Sequence, residues 1–391
     1  MTSSTTESAV IYSSAHDSEG AGREMGQQIK AALSGEPDAL ILFVSPRYDP
    51  SKLVKAIKET CAPKVIVGCS SAGEFTGETQ GEGKACAVAL KSSQLRFTAG
   101  MGRGISESRT RVAEAMAKNF QCGETTSPEY CTALILTDAL AGHADELIED
   151  LTRITGGNHQ FFGGGAGDDA NFRRTQVFCD EEFGTDAAVA LEIISPKPIG
   201  IGVRHGWSPA SPAMRVTESK GAVLVSLNAM PIVEVFEEHA AATSQRFDRT
   251  DPLPFFLHNI LGIDTGAGYK LRVPLAVNPD GSVVCAAEIP QGAAVCIMTT
   301  DAGAARSVAA SATRAAMEQL HGHKPQVALF FDCVATRLRM GHEFGMELDA
   351  LKEVLGTTPF AGCNTYGQVA RTEGQFNGFH NCTAVVCVLP S

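Results

Sequence analysis

Charge is scarce in this chain, and positive charge is the scarcer sign. Charged residues make up 19% of 391 positions, and 32 Lys and Arg against 44 Asp and Glu leave a net charge of −12. A general nucleic-acid binder carries a basic footprint, and anionic membrane surfaces attract basic segments, so neither partner is expected. No uninterrupted apolar run exceeds six residues, as in Ala39–Val44 or Ala384–Leu389. That falls far short of the twenty or so residues that span a bilayer. Met1 to Ser8 lack the basic and apolar segments of a secretory leader. The 12 cysteines are scattered and form no C-x-x-C. Cys86, Cys285, Cys296 and Cys387 sit in apolar runs, as reduced core cysteines do. A cytoplasmic, soluble protein is expected.

Hydrophobic residues reach 44%, so the chain can bury a large core, and its length suits two or three domains. Glycine is in excess, 39 residues or about 10% against a usual 7%, without a collagen period. Part of that excess belongs to an internal repeat. Strand-like runs Ala39–Val44, Ala133–Thr137 and Val327–Phe331 each lead into a helix with apolar residues at helical spacing. These are Leu53, Val54 and Ile57; then Leu147, Ile148, Leu151 and Ile154; then Leu348, Leu351, Val354 and Leu355. A second strand follows and ends in a small-residue turn: Ile66–Glu74, Phe161–Asp168 and Phe360–Gln368. Aligned on Gly73, Gly167 and Gly367, Cys69 matches Gly163 and Cys363. A further strand closes each unit, at Ala85–Leu90, Ala187–Ile194 and Ala384–Leu389. Upstream, Ala9–Ser14, Leu95–Met101 and Val295–Thr300 each precede a helix.

Between the second and third units an insert of about 205–292 reads differently. It has a strand at Val223–Leu227, a helix from Pro231 to about Ala242, and a hairpin near Leu271–Ala287 turned at Asn278-Pro-Asp-Gly281. The expected fold is α/β, with mixed parallel and antiparallel sheets flanked by helices. It has two related halves, 9–200 and 201–389.

The glycine turns do not suit nucleotides. Glu74 stands where a phosphate loop needs lysine, and neither Gly163/Gly165 nor Gly200/Gly202 continues into G-x-G-x-x-G. Turn N–H groups can instead cup a small anion, with Ser70, Ser71, Asn364, Thr365 and Tyr366 completing a polar site. The plainer reading is that these glycines serve backbone geometry alone. Arg371 can pair with a ligand carboxylate, while His380, Asn381 and Thr383 offer donors and acceptors at a strand entrance. The expected ligand set is Cys69, Ser70, Glu74, Asp168, Cys363, Asn364, Tyr366, Arg371, His380, Asn381 and Thr383. An enzyme using Cys69 as nucleophile or the Asp168 turn is an alternative. However, Gly68-Cys-Ser-Ser-Ala72 is not G-x-S-x-G, and no His signature accompanies Cys69. No metal site is expected, because His321-Gly-His323 and His342-Glu343 lack further ligands. A non-covalent haem needs only one axial histidine, and His205 and His258 have apolar or aromatic neighbours.

Val67–Glu74, Phe161–Asp169, Pro359–Gln368 and Phe379–Thr383, in this order, resemble the FIST family (F-box and intracellular signal transduction). Leu227-Asn-Ala-Met-Pro-Ile-Val-Glu-Val-Phe236 is similar to its C-terminal part, with Asn228-Ala229 in place of the common Asp-Gly. Gln368 likewise replaces the usual glutamate. The resemblance implies a non-enzymatic sensory protein for small ligands such as amino acids. Some stand-alone members bind haem to sense nitric oxide and act in trans on a histidine kinase controlling cyclic-di-GMP. Haem b, and a partner such as a histidine kinase or cyclic-di-GMP enzyme, are therefore implied. With no output segment read before Ser391, the signal is expected to pass to that partner.

Overall fold

Three strand–helix–strand units, each with its two strands parallel, organise the chain in the computed structural model, which describes residues 6–123, 129–301, 303–372 and 377–391. The start of the stretch read for a leader, residues 1–5, lies outside them. In the first unit, strand Ala39–Val44 passes through helix Pro50–Cys61 to strand Ile66–Ser70. Asp49 caps that helix by accepting the Ser51 and Lys52 N–H groups, Pro50 opens it, and Ala62 ends it in a left-handed conformation. The second unit runs Tyr130–Thr137, helix Ala144–Ile154, Gln160–Gly165. The third runs Pro325–Cys333, helices Val334–Met340 and Gly345–Leu355, Phe360–Thr365.

Each parallel pair sits in a six-stranded sheet, and the three sheets repeat one strand order. On one side lie the closing strand and the upstream strand, both antiparallel. On the other side lies a short hairpin borrowed from another unit. The first sheet takes Val177–Cys179 and Glu182–Gly184 from the second unit. The second takes Gln368–Arg371 and Asn377–His380 from the third. The third takes Glu74–Thr76 and Gln80–Gly81 from the first. The exchange is cyclic, so no unit completes its own sheet. The N-terminal half holds two units and the C-terminal half one unit plus the insert.

Two details differ from the sequence reading. The upstream strand of the third unit is Gly200–Arg204, paired with Ala384–Pro390, not Val295–Thr300. Ala294–Thr299 instead joins Ile260–Asp264 and Met214–Lys220 in the inserted nine-stranded sheet. A buried strand before a helix is a local signal and does not say which sheet the strand enters. Second, the parallel register places Gly68 opposite Leu42, Gly163 opposite Ile135 and Gly362 opposite Phe330. The equivalent residues are therefore Gly68, Gly163 and Gly362. Counting back from the turns misplaces the middle copy by one, because its turn is one residue shorter.

Inward faces of the three sheets meet in one apolar centre built from Ile41, Phe43 and Val67, Leu134, Leu136 and Phe162, and Leu329, Phe331 and Val385. The Phe331 ring lies 5.5 Å from Phe43, edge-on, and 6.1 Å from Phe162. Strand neighbours of opposite parity, such as Leu40, Leu42 and Val44, face outward under helices, where Met25, Ile29, Leu53 and Ile57 cover them. The insert has the expected strand Val223–Leu227, helix Ile232–Ala242 and hairpin. Asn228 and Ala229 form its left-handed turn (φ +49 and +64), a conformation that Asp-Gly pairs favour, so the family's Asp-Gly is a turn signature here. A buried Arg272 ties the insert to the second unit through an ion pair with Asp145, and Lys270 pairs with the same carboxylate at 2.9 Å.

At the three equivalent glycines a side chain has no room. A Cβ on Gly362 would stand 1.8 Å from the Phe330 carbonyl oxygen, and one on Gly163 2.0 Å from that of Ile135. Gly362→Ala is expected to destabilise the protein by about 3 kcal/mol or more, measured by urea unfolding. Gly303→Ala, whose nearest new contact is 3.6 Å, should change stability by less than about 0.5 kcal/mol.

Candidate functional site

The borrowed hairpins bring the three glycine turns together, where their backbones bond to one another. Ala72 N–H donates to Asn364 O (3.0 Å) and Asn364 N–H to Gly73 O (2.9 Å). Gly165 N–H donates to Gly367 O (2.8 Å) and Tyr366 N–H to Gly165 O (2.9 Å). Gly167 N–H donates to Ser70 O (2.9 Å), closing the ring. These N–H groups are engaged by carbonyls of the neighbouring turn, and the anion-cupping arrangement is not formed by them.

The expected site residues separate into groups around this hub. Cys69 and Cys363 are fully buried neighbours in the apolar centre, and burial pushes the Cys363 thiol up. Ser70 Oγ accepts from Gln176 N–H at 2.9 Å. Asp168 accepts from the N–H groups of Phe172, Arg173 and Arg174 at 2.7–2.8 Å and from the Tyr366 hydroxyl. Burial, then the Asp168 bond, raises the Tyr366 phenol, so it acts as a neutral donor. Gln368 bonds Thr365 Oγ1 (2.9 Å) and Thr383 N–H (3.2 Å), and Thr383 Oγ1 donates to Asn381 O (2.9 Å), so these polar groups brace the strand entrance. Arg371 stands apart. Its guanidinium donates to His159 O and lies 6.0 Å from the Phe161 ring, at the far end of its strand. His380 is buried near Asp145, Lys270 and Arg272, and burial pushes it down to about 3.

Three clefts open around the hub, each between the loop after one unit's first strand and the segment after another unit's turn. One, of about 420 Å³, is lined by Ser45, Tyr48, Ser70, Asp168, Arg173 and Arg174. Another is a narrow apolar cavity of about 50 Å³ beneath the insert, lined by Leu253, Leu257, Val273, Cys333, Tyr366 and Asn381. The third, of about 450 Å³, lies between Gly73–Phe75 with Gln80–Glu82 and Arg337–His342 with Asn364. It combines features that the others lack. Asn364 Nδ2 and Arg337 Nε are buried donors without a hydrogen-bond partner among the described residues. Arg337 also forms an ion pair with half-exposed Glu82. Glu74 Oε1 accepts from Ser71 Oγ (2.5 Å) and Oε2 from Lys84 N–H (2.9 Å). Its surroundings push its carboxyl up to about 8, burial being the main cause. Asp169, held by Ser45 Oγ at 2.8 Å, is likewise raised by burial.

Arg337 was not among the residues singled out in the sequence. The one available signal is its place just after a parallel strand, on the carboxyl edge where α/β sheets bind ligands. Asp332 and Glu347, a fully buried pair with both carboxyls raised by burial, also left no local mark.

The FIST N domain model matches residues 38–230 and the FIST C domain model residues 233–371. The chain belongs to the FIST family. FIST domains are sensory modules associated with small-ligand binding in signalling proteins. No curated protein matches the chain significantly. Among the described residues no helix is long and apolar enough to cross a membrane. The two histidines offered as haem ligands stand away from the hub: His205 Nδ1 accepts from Trp207 N–H (3.3 Å), and neither His205 nor His258 lines any of these three clefts. The apolar cavity nearest His258 in sequence is far below the several hundred Å³ of a ligand pocket. In this FIST chain Cys69 lines none of the three clefts either.

Glu74 carries a pH signature. Unfolded, it loses its proton near 4.5; folded, it keeps it to about 8, so unfolding releases a proton between these values. Stability is therefore fullest at low pH and declines as pH rises through this window. Urea unfolding at pH 5.5 and 8 should show wild type losing on the order of 1–3 kcal/mol more than Glu74→Gln. Equal losses in the two proteins would remove Glu74 as the source.

Proposed function

We propose that the protein is a cytoplasmic sensor of a small zwitterionic ligand of the amino-acid class, bound in the Glu74–Arg337–Asn364 cleft, and that it regulates a signalling partner in trans. The observation that carries the reading is a pair of buried donors unpartnered among the described residues, Arg337 Nε and Asn364 Nδ2, on residues lining one cleft beside two carboxyls. Leaving buried donors unsatisfied costs roughly 1–3 kcal/mol each, a cost that a ligand carboxylate removes. Glu82, already within reach of Arg337, then takes the ligand ammonium. The cleft joins residues of the proposed halves 9–200 and 201–389, so a bound ligand draws the two together. That movement is the signal offered to a partner such as a histidine kinase or a cyclic-di-GMP enzyme. No catalytic step is assigned.

A thermal-shift screen of amino acids should reveal at least one that stabilises the protein. Arg337→Gln should weaken its binding by about 10- to 100-fold, as loss of a charged hydrogen bond does. Arg371→Ala should bind as wild type does, since Arg371 lies away from the cleft. Equal affinity of wild type and Arg337→Gln would overturn the assignment.

A further inference from the structure

At the opposite end of the second sheet, Cys122, Cys131 and His159 come together. Cys131 is the second residue of strand Tyr130–Thr137, and His159 immediately precedes its parallel partner, so the pairing of these strands sets them side by side. The two cysteines are joined as a disulfide, with Cα atoms 6.0 Å apart, while the other ten cysteines are free. The sequence reading drew no such pairing, because a separation of nine positions is no recognised spacing.

His159 gives the cluster its chemistry. It is 4% exposed, stacked between Phe120 and Phe161, with ring centroids at 5.1 and 6.3 Å. Its Nε2 bonds Glu192 Oε1 at 2.8 Å. Glu192 is fully buried and also accepts from Thr98 Oγ1, Gln121 N–H and Cys122 N–H at 2.7–3.1 Å. A carboxylate so surrounded by donors takes the proton-bearing nitrogen of the imidazole, which leaves the lone pair on Nδ1. That Nδ1 is buried and has no hydrogen-bond partner among the described residues, and a ring nitrogen of His159 lies within 4.8 Å of both sulfurs. A disulfide gives it nothing to bind. Two thiolates and an imidazole nitrogen, the latter backed by a carboxylate, are instead the ligand set of a zinc centre.

We propose that the reduced chain binds one zinc ion through Cys122 Sγ, Cys131 Sγ and His159 Nδ1, with Glu192 orienting the histidine, and that the disulfide is the metal-free state of the same site. Cys122 is half-exposed, and Cys131 lines a cleft of about 500 Å³. Reduction by a dithiol breaks the protein S–S bond, places two electrons and two protons on its sulfurs, and closes the disulfide of the reductant. Zinc then displaces the two thiol protons. The centre would make metal occupancy depend on thiol redox state, separately from the ligand cleft.

The full-length protein, reduced with a dithiol and freed of it under nitrogen, is titrated with cobalt(II) as a spectroscopic substitute. One cobalt per chain should bind, with thiolate-to-cobalt charge-transfer absorption and tetrahedral d–d bands that zinc abolishes. The oxidised protein should show none. Glu192→Gln should weaken binding about tenfold while retaining the bands, which separates positioning from ligation. The Cys122→Ser/Cys131→Ser double variant should lose the bands. Reduced wild type without such bands, or a double variant that retains them, would overturn the proposal.

Discussion

Everything in this structure depends on how closely two backbones approach at Gly68, Gly163 and Gly362. Each glycine lies against the carbonyl oxygen of the facing parallel strand, at a separation that excludes even a methyl group. This lets each parallel pair pack tightly and deliver its turn to the centre, where the three turns bond to one another through their main chains. Once they meet, the segment leaving each turn is already beside a neighbouring sheet and continues as its next strand. The cyclic exchange of hairpins follows from that geometry. It also covers one edge of each parallel pair that would otherwise be open to pairing with other chains.

A repeated scaffold yields three similar clefts, and the substitutions in them make them different. The insert roofs one and lines it with Leu253, Leu257 and Val273. Another presents Arg173 and Arg174. The third buries Glu74 against Arg337 and Asn364. The insert is held by a charge cluster rather than by apolar contact alone: Arg272 donates to the carbonyls of Leu271, Glu288 and Phe379 as well as to Asp145. Removing one member of so buried a pair leaves the other charge uncompensated, which makes the docking of the insert definite.

Much of the architecture was legible in the residues. The recurrence of strand, helix, strand, turn and strand marked the three units, and the FIST motifs fell on their turns. Cys69 and Cys363 do occupy corresponding positions. The alternation Leu40-Ile41-Leu42-Phe43 is apolar on both faces, as a strand covered on both sides must be. Other features were not legible. Arg371 was read as a partner for a ligand carboxylate, but an antiparallel strand carries it away from the turn. Arg337 lies on a short helix with no motif and reaches the cleft only because Glu74–Gly81 crosses to the third sheet.

The residues alone determined the α/β class, the repeat, the presence of its helices and the family, because periodicity and glycine turns are local and carry their own energetics. Tertiary structure decided which sheet each hairpin completes, which buried donors remain unpaired, and which cysteines face His159. Those outcomes depend on pairings between residues far apart in the chain, such as Gln368 with Gly164 or Glu74 with Cys363. No local preference encodes them: they are selected by the requirement that every buried backbone group find a partner.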